Sequence, residues 1–306
     1  MNDFTMNIVT RTLTPTPPFD FAHTLAVLTR FQADGVHKRV GENSLTQAFY
    51  VGDGPVLVEL SSTGTVARPK LRAVLSAPDA LGKERVEGVL EHVEWYLSLN
   101  DDLTPFYAIA RRDDAFRPVL EQLYGYHQVK FPTLFACVCW ALITQRTPNS
   151  FAFRSMTKLS EALGAALTVD GVTYTTFPEP TAFLAPDAPP LVLAATNNTR
   201  KTERLLPLAR ALLTEDETFL QTAPYDEVYA RLKKFPGLGD WSVQYIMLRG
   251  LGRYERSPWT DTWLLEGVSR AYTNGLSISR GDAAALAESH GWYQGLWVHY
   301  LKTALL

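Results

Sequence analysis

Apolar and polar side chains alternate with a period of two in parts of the first hundred residues and follow a helical period over most of the rest. The runs SLTQAFYVG (44–52) and PVLVELSS (55–62), separated by the Gly-Asp-Gly turn at 52–54, predict strands. KERVEGVLEHVEWYLSL (83–99) places Val86, Val89, Leu90, Val93 and Leu97 on one face and predicts an amphipathic helix. Residues 1–100 therefore read as a small α+β unit. From about Leu103 the pattern is helical, with segments near 115–124, 132–145, 149–163, 200–213, 225–234, 241–250, 262–272, 281–289 and 292–305, so 101–306 reads as a helical bundle. The exception is 165–198, where TVDGVTYTTFPEPTAFLAPDAPP is rich in Thr and Pro and is expected to be a loop with short turns. The chain carries no internal repeat.

Composition narrows this picture without deciding it. At 306 residues and 46% hydrophobic content the chain is expected to be soluble and globular, with room for two or three compact units. No stretch reaches the roughly 18 continuous apolar residues of a membrane span, and MNDFTMNIVTRTLTPTPPFDF lacks a cationic run followed by an apolar one. A cytoplasmic or nuclear address is expected. Cys137 and Cys139 sit two apart in FACVCWALI, an apolar setting that favours free thiols over a disulfide, a zinc site or an iron–sulfur cluster. A net charge of −3 and a pI near 6.1 exclude a polycation that binds nucleic acid by bulk charge alone. A local basic face remains open.

The densest candidate chemistry lies in FPGLGDWSVQYIMLRGLGRYERSPWTDTWLL (235–265). Pro236 stops one helix, Gly237-Leu238-Gly239 makes a short turn, and Trp241 opens the next helix, whose first turn Asp240 or Ser242 is placed to cap. Such a turn presents backbone N–H groups at the positive end of the second helix, a cradle for one phosphate. Read alone, it is equally an ordinary structural turn. Asp261 then precedes a further helix, either as an N-cap contributing roughly 1 kcal/mol or as cap and catalyst together.

The pattern [L/F]-P-G-[I/L]-G-x-W-[T/S]-x-x-Y, followed by an Asp at the head of a later helix, resembles the helix-hairpin-helix DNA glycosylase superfamily, in particular its 3-methyladenine DNA glycosylase II branch, AlkA. MLRG (247–250) is similar to the family's ALRG. FPTLFACVCWALITQ (131–145) resembles the family helix that ends in Gln, and FPEPTAFLA (177–185) its F-P-T-P segment. TRKTERLLPLARALL (199–213) is similar to K-A-x-x-L-x-x-L-A, and PPFDFAHTLAVLTRF (17–31) to the PPYDW opening of the TATA-binding-protein-like domain. The resemblance covers nearly the whole chain. It implies a glycosylase bundle joined to an antiparallel sheet domain, a monomer, and double-stranded DNA with damaged bases as partner, with no membrane role.

What the resemblance implies chemically is hydrolysis of the N-glycosidic bond of an alkylated purine flipped out of the duplex, with no cofactor required. Asp261 is implied as the catalytic carboxylate, stabilising the oxocarbenium-like sugar and orienting or deprotonating water. Trp241, Tyr245 and Trp259 are implied as the base pocket, with Trp263 nearby, since electron-rich rings attract a cationic base. Relatives that cleave the strand through a Schiff base carry Lys where this chain has Trp241, so hydrolysis alone is expected. Phosphate contact is expected at Gly237, Gly239, Ser242 and Lys201, and Gln145-Arg146 correspond to the residues that fill the gap left by the flipped base. A monovalent cation on the carbonyls of Lys233, Phe235 and Leu238 is implied by resemblance only.

The chain departs from the family in several places. Arg146 stands where the family wedge is Gln or Leu, and a helix-end Arg can instead cap carbonyls. Asn197-Asn198 replace a glycine before Lys201, leaving Lys201 as a phosphate contact or a solvated helix residue. Trp241 can be plain core. Of the C-terminal aromatic pattern only GWYQGLWVHYL (291–301) survives, with Trp297 or Tyr300 as replacement pocket wall or as core. An oxidised or deaminated purine substrate, or a DNA-binding module without catalysis, are the alternatives.

Overall fold

The computed structural model describes residues 6–259 and 262–305. Strands β1 (Asn7–Leu13), β2 (Lys38–Val40), β3 (Ser44–Val51), β4 (Gly54–Ser62) and β5 (Leu71–Ala77) form an antiparallel sheet in the order β1-β5-β4-β3-β2. Strand β5 alternates cleanly: Leu71, Ala73, Leu75 and Ala77 are buried and Arg72 is exposed, as a sheet with one covered face requires. Helices α1 (Phe21–Arg30) and α2 (Lys83–Tyr96) share the core of that face, α2 through Val86, Val89 and Val93. Leu90 is only half-buried. The two predicted strands and the predicted helix are present, while β1, β2 and β5 had not been singled out.

The rest of the chain is mainly helical: α3 (Thr104–Ala110), α4 (Arg117–Gln122), α5 (Leu134–Ile143), α6 (Asn149–Leu163), α7 (Ala188–Thr196), α8 (Thr199–Leu212), α9 (Glu217–Thr222), α10 (Tyr225–Leu232), α11 (Asp240–Arg249), α12 (Thr262–Tyr272), α13 (Arg280–Glu288) and α14 (Gln294–Thr303). The expected loop at 165–198 is corrected. It holds a hairpin, β6 (Ala166–Val169) with β7 (Val172–Thr175), a 3₁₀ turn at Pro180–Leu184 and helix α7. Asp170-Gly171, both at positive φ, make the tight hairpin turn. The prolines of α7 lie in its first turn, where no intrahelical N–H is needed.

Two large apolar cores organise these elements. One runs from the sheet through α1–α4 to α12–α14, so Phe106, Phe116 and Leu120 belong to the same continuous core as the strand residues, across the change of texture near residue 100. The other gathers α5–α11 around α5, which is buried on every side from Phe135 to Ile143. That explains the unbroken apolar run FACVCWALI. Cys137 and Cys139 lie within it as free thiols whose pKa values burial pushes up. No helix among the described residues is long and apolar enough to cross a membrane.

Candidate active site

The hairpin is built by two buried apolar residues and one glycine. Phe235 and Leu238 anchor the turn in the second core, Leu238 N–H donates to the Phe235 carbonyl at 3.2 Å, and Gly237 takes φ +81°. Neither Asp240 nor Ser242 caps α11. Its N-cap is Gly239, which has no side chain to do so. Asp240 turns back to accept from Lys233 Nζ at 2.7 Å and the Tyr229 hydroxyl at 2.5 Å, and these two donors hold its carboxyl below the usual range. The amino end of α11 is thus left without a side-chain cap.

Ser242 is a correction. Its side chain is buried, its Oγ donates to the Ala141 carbonyl at 3.3 Å, and it accepts from Gln145 Nε2 at 2.9 Å, so the hydroxyl faces the core rather than a phosphate. Gln145 is corrected likewise. Its amide also donates to the Gly237 carbonyl at 2.9 Å, so it ties the end of α5 to the hairpin instead of standing free to fill a gap. Arg146, next in the chain, is exposed and has φ +52°.

Lys201 is neither a phosphate contact nor a solvated helix residue. It is 9% exposed, its Nζ donates to the Ile143 carbonyl and to Thr147 Oγ1, and burial lowers its pKa. The asparagines before it define the path: Asn197 ends α7 in the left-handed region and Asn198 accepts from Lys201 N–H as N-cap of α8. One turn further on, half-buried Arg204 lies against Gly237, close enough that a Cβ there would sit 2.9 Å from its Cδ. Sequence reasoning missed Arg204, because which of two basic residues faces the hairpin depends on helix rotation.

A cleft of about 270 Å³ opens along α11, the helix that follows the hairpin. Tyr245 lines it, together with Phe31, Trp140, Phe153 and Arg249, none of which the sequence singled out. Trp241 is half-buried behind Tyr245, ring centroids 5.2 Å apart, and Tyr245 in turn meets Phe131 edge-on at 6.3 Å. Trp259 packs edge-on against Trp297 at 6.1 Å. Trp297 and Tyr300 are fully buried in the first core, so neither replaces the missing pocket wall, and Trp292 is 62% exposed. Asp261 lies outside the described residues, as does the side chain of Trp263. Pro258 and Leu264, three positions to either side of Asp261, both line the cleft.

The cleft is positively charged. Arg30, Arg249 and Lys302 line it and, among the described residues, no carboxylate does. Arg249 is buried, with its guanidinium 5.4 Å over the Phe31 ring and an amino group 3.2 Å from His299 Nε2. Burial first, then Arg249 and Lys302, hold His299 well below its usual pKa, so the imidazole is neutral and accepts. The Phe31 wall is pinned through fully buried Asp34, which accepts from Lys38 Nζ at 2.8 Å and lies 3.3 Å from the Tyr96 hydroxyl. Lys38 also donates to the Phe31 carbonyl at 2.6 Å. No cluster of three or more metal-ligating side chains occurs among the described residues. Of the three carbonyls expected to hold a monovalent cation, those of Lys233, Phe235 and Leu238, that of Phe235 accepts from Leu238 N–H.

No protein-family model matches the chain. A DNA-3-methyladenine glycosylase of Bacillus subtilis is 25% identical over 254 residues, 82% of each protein. The fold matches a 3-methyladenine DNA glycosylase from Archaeoglobus fulgidus with a TM-score of 0.79 at 18% identity, over 96% of this chain and 98% of that one. It also matches the Clostridium acetobutylicum 8-oxoguanine glycosylase/lyase in complex with double-stranded DNA, with a TM-score of 0.70 at 17% identity and 97% of both chains covered. The chain therefore has the fold of these helix-hairpin-helix DNA glycosylase structures along its whole length and is similar in sequence to a DNA-3-methyladenine glycosylase.

Proposed function

We propose that the protein is a monofunctional DNA N-glycosylase that flips an alkylated purine such as 3-methyladenine out of duplex DNA and hydrolyses its glycosidic bond. The observation that carries this reading is the hydrogen bond from Gln145 to Gly237, which sets the projecting Arg146 and the uncapped amino end of α11 on one unit beside the aromatic cleft. A phosphate taken by the amides near Gly239, and by Arg204, would place the adjoining nucleotide over that cleft. A monovalent cation on the hairpin carbonyls would add positive charge beside the same phosphate.

The expelled base would then lie against Tyr245 and Phe31, and Arg146 would occupy the gap it leaves. Asp261, bracketed in sequence by two cleft residues, is the group assigned to the sugar. Its carboxylate would stabilise positive charge developing at C1′ and take a proton from the attacking water. An alkylated purine leaves as a neutral base, so no second acid is needed. Trp241 offers no amine for a Schiff base, and strand cleavage is not part of the reaction.

The test is base release from methylating-agent-treated duplex, wild type beside Asp261→Asn, with freed bases identified by chromatography and strands sized on a denaturing gel. Methylated purines released by wild type alone, from uncut strands, are expected. Full activity in Asp261→Asn would remove the carboxylate from the mechanism. Arg249 favours a second reading, because a buried cation repels a cationic base and donates well to a carbonyl-bearing neutral one. Deaminated or oxidised purines therefore belong in the same panel.

A further inference from the structure

The turn that carries Arg146 is held by more polar bonds than a surface turn needs. Thr144 Oγ1 donates to the Trp140 carbonyl at 2.8 Å and Thr147 Oγ1 to the Gln145 carbonyl at 3.1 Å. Gln145 crosses to the hairpin at two points, Gly237 O and Ser242 Oγ, and Ser242 passes the chain of bonds on to Ala141 of the same α5. From the other side, buried Lys201 reaches the Ile143 carbonyl at the negative end of α5 and Thr147 at the far end of the turn. A buried ammonium is costly to desolvate, so its placement against one carbonyl and one hydroxyl needs a reason. Arg146 supplies one. Left-handed backbone is unfavourable for a residue with a side chain and persists only where its surroundings over-determine it.

We propose that Gln145 and Lys201 are positioning residues for the wedge: they clamp the 144–147 turn from opposite sides, keep Arg146 in its projecting conformation before DNA arrives, and couple wedge insertion to phosphate capture at the hairpin. The proposal rests on the reading of Arg146 as the gap-filling residue. Neither clamp residue touches the lesion. Their contribution is preorganisation, which a flexible wedge would have to make up at each insertion.

The experiment uses the full chain and two duplexes, one undamaged and one with a tetrahydrofuran abasic-site analogue opposite 2-aminopurine, whose fluorescence reports insertion. Wild type is expected to prefer the abasic duplex. Lys201→Met, which keeps the stem and removes the donor, is expected to lose roughly tenfold of that preference, the scale of one hydrogen bond left unmade, while binding undamaged duplex as wild type does; Gln145→Met, whose amide also holds the hairpin, is expected to lose the same preference beyond any weakening common to both duplexes. Lys201→Arg keeps the cation and the donors and is expected to recover part of the loss. Arg146→Ala is expected to lose the preference too, and adding Gln145→Met to it should cost nothing further, because the clamp acts only through Arg146. Equal weakening on both duplexes, or full additivity in the double variant, would overturn the proposal. The failure of the glycosylase reading would instead appear as no base release from any lesion duplex, with the abasic preference still measurable.

Discussion

Gly237 and Gly239 stand two residues apart in one turn, yet a methyl group at each is expected to do different damage. Gly237 has φ +81°, and a Cβ there would lie 2.9 Å from Arg204 Cδ and 3.2 Å from Leu142 Cδ1. Left-handed backbone costs a residue with a side chain roughly 1–2 kcal/mol, and Arg204 must also swing aside. Gly237→Ala is therefore expected to destabilise by about 1–3 kcal/mol, at about 2–4 °C of melting temperature per kcal/mol. Gly239 is extended, at φ −91° and ψ 179°, with nothing within 4 Å of a new Cβ. Replacing it as N-cap costs at most about 1 kcal/mol. The open space is where a phosphate oxygen would approach the amides of α11, so the methyl group would displace the ligand rather than the protein. Gly239→Ala is expected to weaken binding of an undamaged duplex about tenfold, the loss of one charge-assisted hydrogen bond. Calorimetry and fluorescence anisotropy at one fixed salt concentration read the two effects separately. Wild-type duplex affinity in Gly239→Ala, or equal melting shifts in the two variants, would refute the placement of the phosphate.

Glu179 lines a cleft with Glu91, His92 and Glu217, and burial first, then Glu217, pushes its carboxyl up to about 7. The folded chain holds that proton where the unfolded chain has released it, so the resulting stability is present below about pH 4.5 and is lost as pH rises through about 7. Glu179→Gln is expected to gain on wild type across that window, by at most about 3 kcal/mol in melting curves, and a difference independent of pH would sink the assignment. Trp297→Ala empties a fully buried site and is expected to cost about 3–5 kcal/mol in denaturant midpoints, against about 0.5 kcal/mol or less for exposed Trp292→Ala. Arg249→Gln is expected to raise the rate ratio of 7-methylguanine to hypoxanthine release about tenfold by removing a cation from the cleft, and an unchanged ratio would show that Arg249 does not sort lesions by charge.

Local signals made much of the architecture legible. The Gly-Asp-Gly hairpin, the α2 stripe and the Pro-Gly-Leu-Gly turn each carry their own geometry in a few residues, and each stands where it was expected. What failed was composition used in place of position: 165–198 looked like a loop because Pro was counted without asking whether it falls in a first helical turn, and Asp170-Gly171 went unread as a hairpin turn. Site residues divide the same way. Arg146 shows its exposure by sitting just past an apolar helix, but Lys201 and Arg204 are both basic, on one helix and a turn apart, and only the packed rotation of α8 buries one and turns the other to the hairpin. Phe31 and Arg249 were invisible for a related reason. Each belongs to an element whose apolar face is explained by its own core, and nothing in the local sequence says that the two elements meet.

The position of the cleft follows from that meeting. Val27, Leu248 and Leu264 line it from the first core, Ala33 and Trp140 from the second, and Phe31 packs against both. A site that must admit a whole base cannot be carved into a close-packed interior, where an empty volume of that size would cost several kcal/mol. At a seam the same volume costs little, because each core is already complete on its own side and only contacts across the seam are forgone. The seam must still be kept from collapsing when no base is bound. Two buried polar devices act where Phe31 and Arg249 meet: the Asp34–Lys38–Tyr96 cluster holds the loop behind Phe31, and the Arg249–His299 contact holds the guanidinium that lies over the Phe31 ring. Both are poor investments for stability alone, since apolar residues of like volume would serve at least as well. Their presence on this seam between the two cores is the physical argument that the opening suits a ligand.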